Sequence, residues 1–387
     1  MRTAKLLLIT LLLTSTAFAA DAPPTLPGVT EAMKPFIEAN EIAGAVTYVA
    51  NKEGVLHLSA IGQTDIAASK PMQPDSIFWI ASMSKPVTAA ALMMLQDEGK
   101  LSIDDPVAKY IPEFANLKTP SGKPANLTIR HLMTHTSGLA EATPEVGRTA
   151  TKLADLIPSF LAKPVVFEPG SQWKYCQSGI NTGGRIVEIV SGMSFPEFLS
   201  KRLFEPLGMK DTTFHLTAAQ LPRLAVSYKR NGEKLEATPL GFLNGKSPTD
   251  TNRCPMPNGG LFSTAADYGQ FLRMVLNKGT LDGKTYLSPK AVEQMTTVQS
   301  GDVKTGFTPG NGWGIGWCVV REPQGVSGAL SAGSHGHGGA YGTQAWIDPK
   351  TGLAHVLLIQ RTNFSNPGGS DGSPVRQALH EAVAKAK

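Results

Sequence analysis

Apolar and polar positions along the chain change their period several times, and the changes mark out elements. Residues 27–42 carry apolar positions at helical spacing and predict an amphipathic helix. The next run, AGAVTYVANKEGVLHLSAIG, is two β-rich segments around Asn51-Lys52-Glu53-Gly54 and predicts a hairpin. SIFWIA, residues 76–81, is a short apolar run that ends directly on SMSKPVTAAALMMLQDEGK. That segment predicts a helix with Ser82 near its cap, Pro86 in its first turn and Gly99 just past its end. From about 100 to 275 the pattern is helical and loop-rich: TIRHLMTH, LADLIPSFLA, NTGGRIVEIVSG, FPEFLSKRLFEPLG and AADYGQFLRMVLNKG. Strand-like runs return from 311 in GWGIGWCVV, GTQAWIDP and GLAHVLLIQ, and PVRQALHEAVAKAK predicts a closing helix.

Strands at both ends with helices between them predict an α/β (α+β) fold. The expected form is an antiparallel sheet flanked by helices and built from both termini, with a mostly helical lobe inserted in the middle. The α/β lobe is expected over about 20–81 and 276–387, the helical lobe over about 82–275, and a site in the cleft between them. There is no fixed-period repeat and no low-complexity block.

The first residues, MRTAKLLLITLLLTSTAFAADAPP, read differently from the rest. Arg2 and Lys5 precede the apolar run Leu6 to Leu13, and Ala17-Phe18-Ala19 forms an A-x-A cleavage signal. The run is too short and too interrupted by Thr for a spanning helix. Residues 1–19 are therefore expected to be a signal peptide cleaved after Ala19, giving a periplasmic or secreted catalytic domain over 20–387 with no membrane span. Cleavage removes two positive charges and no acids, taking the net charge from +5 to +3. So mild an excess, with no basic run, carries no nucleic-acid signature. Three cysteines, Cys176, Cys254 and Cys318, exclude a full disulfide framework and leave either one bridge (Cys176 with Cys254 being a candidate) or three unpaired thiols.

The chemistry concentrates in Ser82-Met83-Ser84-Lys85. At i and i+3 on a helix the hydroxyl and the amine share one face. Free N–H groups at the helix start suit an oxyanion, and a desolvated lysine loses its proton easily enough to act as base to the serine. A second S-x-x-K, Ser171 to Lys174, follows Pro169-Gly170 in a loop with no helix to fix it. AGSHGHGGAYGT, 332–343, is the other chemically dense stretch, open to reading as a metal site, a phosphate loop or a glycine strand beside a substrate. His335 and His337 have no nearby Asp, Glu or Cys, and GGAYGTQAWID runs into a strand rather than a helix, so the metal and phosphate readings fail. His131 and His135 have zinc-helix spacing, but HLMTH lacks the glutamate of H-E-x-x-H. No metal and no cofactor are expected.

Taken in order, WIASMSKPVTAAALMMLQDEGKLSIDDPV, LTIRHLMTHTSGL, FEPGSQWKYCQSG, FEPLGMKDTTF, GGLFSTAADYGQFL and GHGGAYGT resemble the serine β-lactamase-like superfamily. That group holds class C β-lactamases, D-alanyl-D-alanine carboxypeptidases, D-aminopeptidases and related esterases. The resemblance runs from about 28 to 385. It implies Ser82 as the acylated nucleophile, Lys85 as its proton acceptor and Tyr175 as the proton shuttle of a Y-x-N element. It also places His337-Gly338-Gly339 at the family's third element, with Gly339 beside the N–H of Ala340, which joins that of Ser82 in an oxyanion hole.

One position departs from the pattern: Gln177 stands where the family has Asn, in Tyr175-Cys176-Gln177. Its amide is expected to hydrogen-bond Lys85 and a substrate carbonyl, less firmly for its extra methylene. Cys176 reads as a small buried filler. Lys304-Thr305-Gly306 and Lys350-Thr351-Gly352 spell K-T-G but fall in a polar loop and in an Asp348-Pro349 turn. Gly368 to Gly372 spells G-x-S-x-G without the strand–turn–helix that motif needs. Where K-T-G enzymes hold a substrate carboxylate with a charged lysine, His337 with an ordinary pKa is mostly neutral at pH 7.5. The expected substrates are small esters or amides, with β-lactams turned over poorly; a D-amino-acid peptidase acting on peptidoglycan fragments, or a weak β-lactamase, is the alternative.

Overall fold

The computed structural model describes residues 24–306, 308–362, 364 and 374–386. Residues 1–19, expected to be a signal peptide, and the G-x-S-x-G stretch lie outside the described residues. Eight strands form the main sheet: β1 (Gly44–Ala50), β2 (Val55–Asp65), β3 (Lys70–Pro71), β4 (Asn311–Trp313), β5 (Cys318–Val320), β6 (His335–Gly338), β7 (Gln344–Asp348) and β8 (Leu353–Leu358). They run in the order β4-β5-β6-β7-β8-β1-β2-β3, every neighbour antiparallel. The sheet is thus closed in its middle by a β1–β8 pair drawn from the two ends of the chain, with Val46 opposite Leu358 and Ala50 opposite Ala354.

Alternation along β1 shows why it reads as continuously apolar. Val46, Tyr48 and Ala50 enter the large core that also holds α1 (Ser84–Asp97), while Ala45 and Val49 enter a second core. That second core packs Val29 and Met33 against Val375 and Leu379 of the closing helix α4 (Pro374–Lys385). A strand covered on both faces has no polar side to show. The helix α1 is likewise buried on all sides, from Ser84 to Leu95, which places the residues at its start deep in the molecule.

Three sequence expectations change. The helix over 27–42 is two short ones, Pro27–Glu31 and Lys34–Glu38, because Pro35 has no N–H to continue the ladder. The run GWGIGWCVV is two strands, β4 and β5, because the chain reverses over Gly314 to Trp317 with Gly316 at φ +75°. The helix α3 (Ala265–Leu276), counted by position with the helical segment, lies on the sheet over β1 and β8. Gly269 permits that approach, since a Cβ there would sit 2.3 Å from the Tyr48 ring. None of the three cysteines forms a disulfide, and all three are buried.

Candidate active site

The run into α1 is wound tightly. Ala81 takes a left-handed φ of +47°, and Ala81–Met83 forms a 3-10 turn before the helix proper. A residue with a Cβ pays roughly 1–2 kcal/mol for that conformation, and the surroundings hold it there. Ser84 Oγ donates to Ala81 O at 2.7 Å and accepts from Leu261 N, and the Tyr268 hydroxyl on α3 donates to Met83 O at 2.8 Å. Ser82 therefore sits inside the first turn rather than at a cap.

Its hydroxyl has two neighbours. Lys85 Nζ lies 2.9 Å from Ser82 Oγ, and the Tyr175 hydroxyl donates to the same oxygen at 2.9 Å. Its Nζ also lies 4.6 Å over the Tyr175 ring and donates to the Asn258 backbone carbonyl at 2.6 Å. Lys85 is completely buried, and burial drives its pKa well below the ordinary lysine value, with the Glu141 carboxylate pulling weakly the other way. Burial pushes the Tyr175 phenol upward, so it keeps its proton. An amine that burial makes easier to deprotonate, set beside a serine hydroxyl, is a base in place, because the same 2.9 Å contact lets the hydroxyl donate to it once the proton is lost.

Gln177 is not placed as the sequence pattern implies. It opens helix α2 (Gln177–Ser191), and its longer side chain reaches Asn258, whose Nδ2 donates to Gln177 Oε1 at 2.8 Å. The partner it was expected to supply to Lys85 is supplied by the Asn258 main chain instead. Two residues of the site carried no motif. Asn258 is one; Glu141 is the other, its carboxylate accepting from Gln177 N at 2.7 Å and from Ser178 N and Oγ at 3.0 and 2.7 Å. Glu141 thereby caps α2 from a distant segment, where Cys176 has no side-chain cap to give. Only the Asn258-Gly259-Gly260 turn signal hinted at the first; nothing local marked the second.

On β6, His337 Nδ1 donates to Gly338 O at 2.6 Å, leaving Nε2 buried beside Tyr175 and Trp313, whose rings lie 6.2 and 5.6 Å away. Burial, then the Lys85 charge, pushes its pKa to about 3, well under the ordinary value assumed from sequence. His335 packs edge-on to Trp317 at 5.4 Å, its Nδ1 on Gly333 O. Gly339 has no room for a side chain: a Cβ would fall 2.0 Å from Thr343 Oγ1 and 2.6 Å from Ile80 O. That crowding brings the Ala340 loop against the start of α1. The backbone N–H groups of Ser82 and Ala340 have no acceptor among the described residues, and both residues line one cavity of about 510 Å³. Trp79, Phe160, Phe242 and Met256 make it apolar; Gln177, Asn181 and Asn258 give it an amide wall.

The remaining motifs go elsewhere. Ser171 and Lys174 are exposed, with Ser171 Oγ donating to Glu168 O. His131 Nδ1 accepts from Thr128 N, and His135 Nδ1 from Cys176 N, so the two rings serve different backbone groups.

The fold and the site's family relationship define a serine hydrolase of the β-lactamase and penicillin-binding protein class. The chain belongs to the Beta-lactamase family, whose model matches residues 29–379. It is 35% identical over 365 residues to Protein Rv1367c of Mycobacterium tuberculosis, covering 87% of this chain and 90% of that one. It is 29% identical over 399 residues to Esterase EstB of Burkholderia gladioli, covering 95% and 97%. Other relatives carry penicillin-binding and D-alanyl-D-alanine-carboxypeptidase names. The solved structure of EstCE1, a hydrolase with promiscuous acyltransferase activity, superposes with a TM-score of 0.78 at 24% identity, over 93% of this chain and 98% of that one. Among the described residues, no helix is long and apolar enough to cross a membrane.

Proposed function

We propose that the protein is an acyl-serine esterase that transfers the acyl group of small neutral esters to water through Ser82. The observation that carries this reading is the pairing of Ser82 Oγ with a fully buried lysine amine and a protonated tyrosine hydroxyl, each at 2.9 Å, at the wall of an apolar cavity. In acylation the Ser82 proton passes to Lys85 Nζ as Oγ bonds to the ester carbonyl carbon. The carbonyl oxygen takes up the negative charge between the N–H groups of Ser82 and Ala340, donors whose individual loss typically costs about 10²–10³ in rate. The tetrahedral species collapses with cleavage of the ester C–O bond, and the leaving alkoxide receives the proton by way of the Tyr175 hydroxyl. A water then attacks the acyl-enzyme with Lys85 again as base, which releases the acid and restores the Ser82 hydroxyl.

Charge selects among substrates. Glu141 is the only charged side chain among the described residues lining the cavity, and His337 is neutral. A substrate carboxylate would meet no cation there and one anion. The expected outcome on a substrate panel is a kcat/KM for a short-chain p-nitrophenyl ester at least about 100-fold above that for nitrocefin, which carries a carboxylate; roughly 2.7 kcal/mol of transition-state binding separates the two. Equal rates would overturn the ester reading. The amide wall favours one second reading, peptidase action on D-amino-acid amides or peptides, and a D-Ala-D-Ala peptide and a D-amino-acid amide belong in the same panel.

Export is part of the same reading, supported by the charged, apolar and A-x-A sequence of residues 1–19. Expression in a secreting host is expected to yield a mature chain beginning at Ala20, read by intact mass; a retained Met1 in the exported fraction contradicts it.

A further inference from the structure

We propose that His135 is a positioning residue for Tyr175, holding the phenol on Ser82 by gripping the main chain on both sides of it. The inference rests on the role given above to Tyr175 and goes beyond it, because His135 is not among the residues that line the cavity.

The grip has three parts. The His135 backbone carbonyl accepts the N–H of Lys174 at 2.9 Å, and its ring Nδ1 accepts the N–H of Cys176 at 3.1 Å. One residue thus satisfies the donors immediately before and after Tyr175. The third part is contact: the His135 ring centroid lies 4.4 Å from that of Tyr175 at 41° and 5.0 Å from that of Trp313, with His135 wholly buried. Both bonds from one residue require an unusual backbone. His135 has φ +61°, which turns its carbonyl and its ring toward the same strand of chain. A non-glycine residue keeps that conformation only when its surroundings impose it.

Acceptance at Nδ1 also fixes the tautomer, placing the ring proton on Nε2 and keeping the imidazole neutral. Tyr175 has no helix to hold it, since it precedes α2 by two residues and Cys176 is the cap position. Without the clamp the N–H groups of Lys174 and Cys176 lose the acceptors that His135 supplies. A phenol free to swing by an ångström loses the 2.9 Å contact to Ser82 Oγ and the proton path with it.

Three substitutions and one double-variant cycle test this on the full-length mature protein. His135→Asn keeps an acceptor near the Nδ1 position and tolerates positive φ. His135→Gly relieves φ but removes the acceptor, and His135→Ala removes the acceptor and keeps the strain. The expected result is a loss of kcat of about 30- to 100-fold for Gly and Ala with KM changed less than about threefold, and recovery to within about fivefold of wild type for Asn. Thermal melting is expected to rank Gly above Ala without restoring its kcat, which a purely structural role would not produce. In a Tyr175→Phe background, His135→Gly is expected to change kcat less than twofold, because the group it positions is gone. Additive losses in that cycle, or an unchanged kcat in His135→Gly, overturn the proposal. Failure of the acyl-serine reading itself is read separately, as wild-type turnover in Ser82→Ala.

Discussion

Replacing Lys85 with methionine is expected to lower kcat/KM for a p-nitrophenyl ester by about 10⁴–10⁶-fold, the size of effect seen when the base of an acyl-serine site is removed, without lowering the melting temperature. The two halves of that result have one cause. At pH 7 an unfolded lysine is charged, whereas burial holds the folded Lys85 amine well below its ordinary pKa. The folded site therefore holds that proton less tightly than the unfolded chain does, and this cost disappears when the amine is replaced by an apolar side chain of similar length. The lost bond to the Asn258 carbonyl offsets part of the gain. The same shift sets the pH profile: kcat/KM is expected to fall on the acid side as Lys85 takes up its proton, at a pH well below the ordinary lysine range. A variant that kept most of its activity would mean that the proton goes elsewhere. A variant that lost activity together with many degrees of melting temperature would mean that Lys85 is a structural residue.

Acid is expected to unfold the protein from the inside. His335 and His355 are held to a pKa of about 4 and His337 to about 3, each by burial; burial likewise lowers His57 to about 4. His380 and His135, also buried, are pushed well below the usual value. In each case the unfolded chain binds a proton from about pH 6.5 downward and the folded chain does not. Stability is therefore fully present above pH 6.5 and declines as the pH falls toward 4. A shift from 6.5 to about 4 corresponds to roughly 3 kcal/mol at 1.36 kcal/mol per unit. Several such groups together rival the ~5–15 kcal/mol that holds an ordinary domain folded. The check is a series of urea titrations between pH 7.5 and 4.5: the unfolding free energy should drop steeply below 6.5. A flat series would show that these rings are protonated in the folded state.

Much of this molecule is legible in its sequence wherever the signal is local. The hairpin around Asn51 to Gly54, the helix ending before Gly99 and the Asp348 to Gly352 turn all follow from period and turn chemistry within a few residues. The ordered motifs located Ser82, Lys85 and Tyr175, which meet in space. What stayed hidden depends on separated segments meeting. Asn258 reaches Lys85 from 173 residues away in sequence, and Glu141 caps a helix that begins 36 residues later. His131 and His135 have zinc-helix spacing, a reading that the missing glutamate excludes, but spacing does not reveal that the His135 ring accepts the Cys176 N–H. Gln177 was expected on Lys85 for the same reason: a motif carries a residue's position but not where an extra methylene delivers its amide. Pro35 and Gly316 break an expected helix and an expected strand because a single backbone constraint at each position overrides the apolar pattern around it.

The most direct test of the mechanism is covalent capture of the nucleophile. Mature protein is reacted with a fluorophosphonate at neutral pH, digested and mapped by mass. The phosphonyl adduct is expected on Ser82 alone, lost in Ser82→Ala and slowed strongly in Lys85→Met. Labelling at any other residue, or none while ester hydrolysis persists, contradicts it.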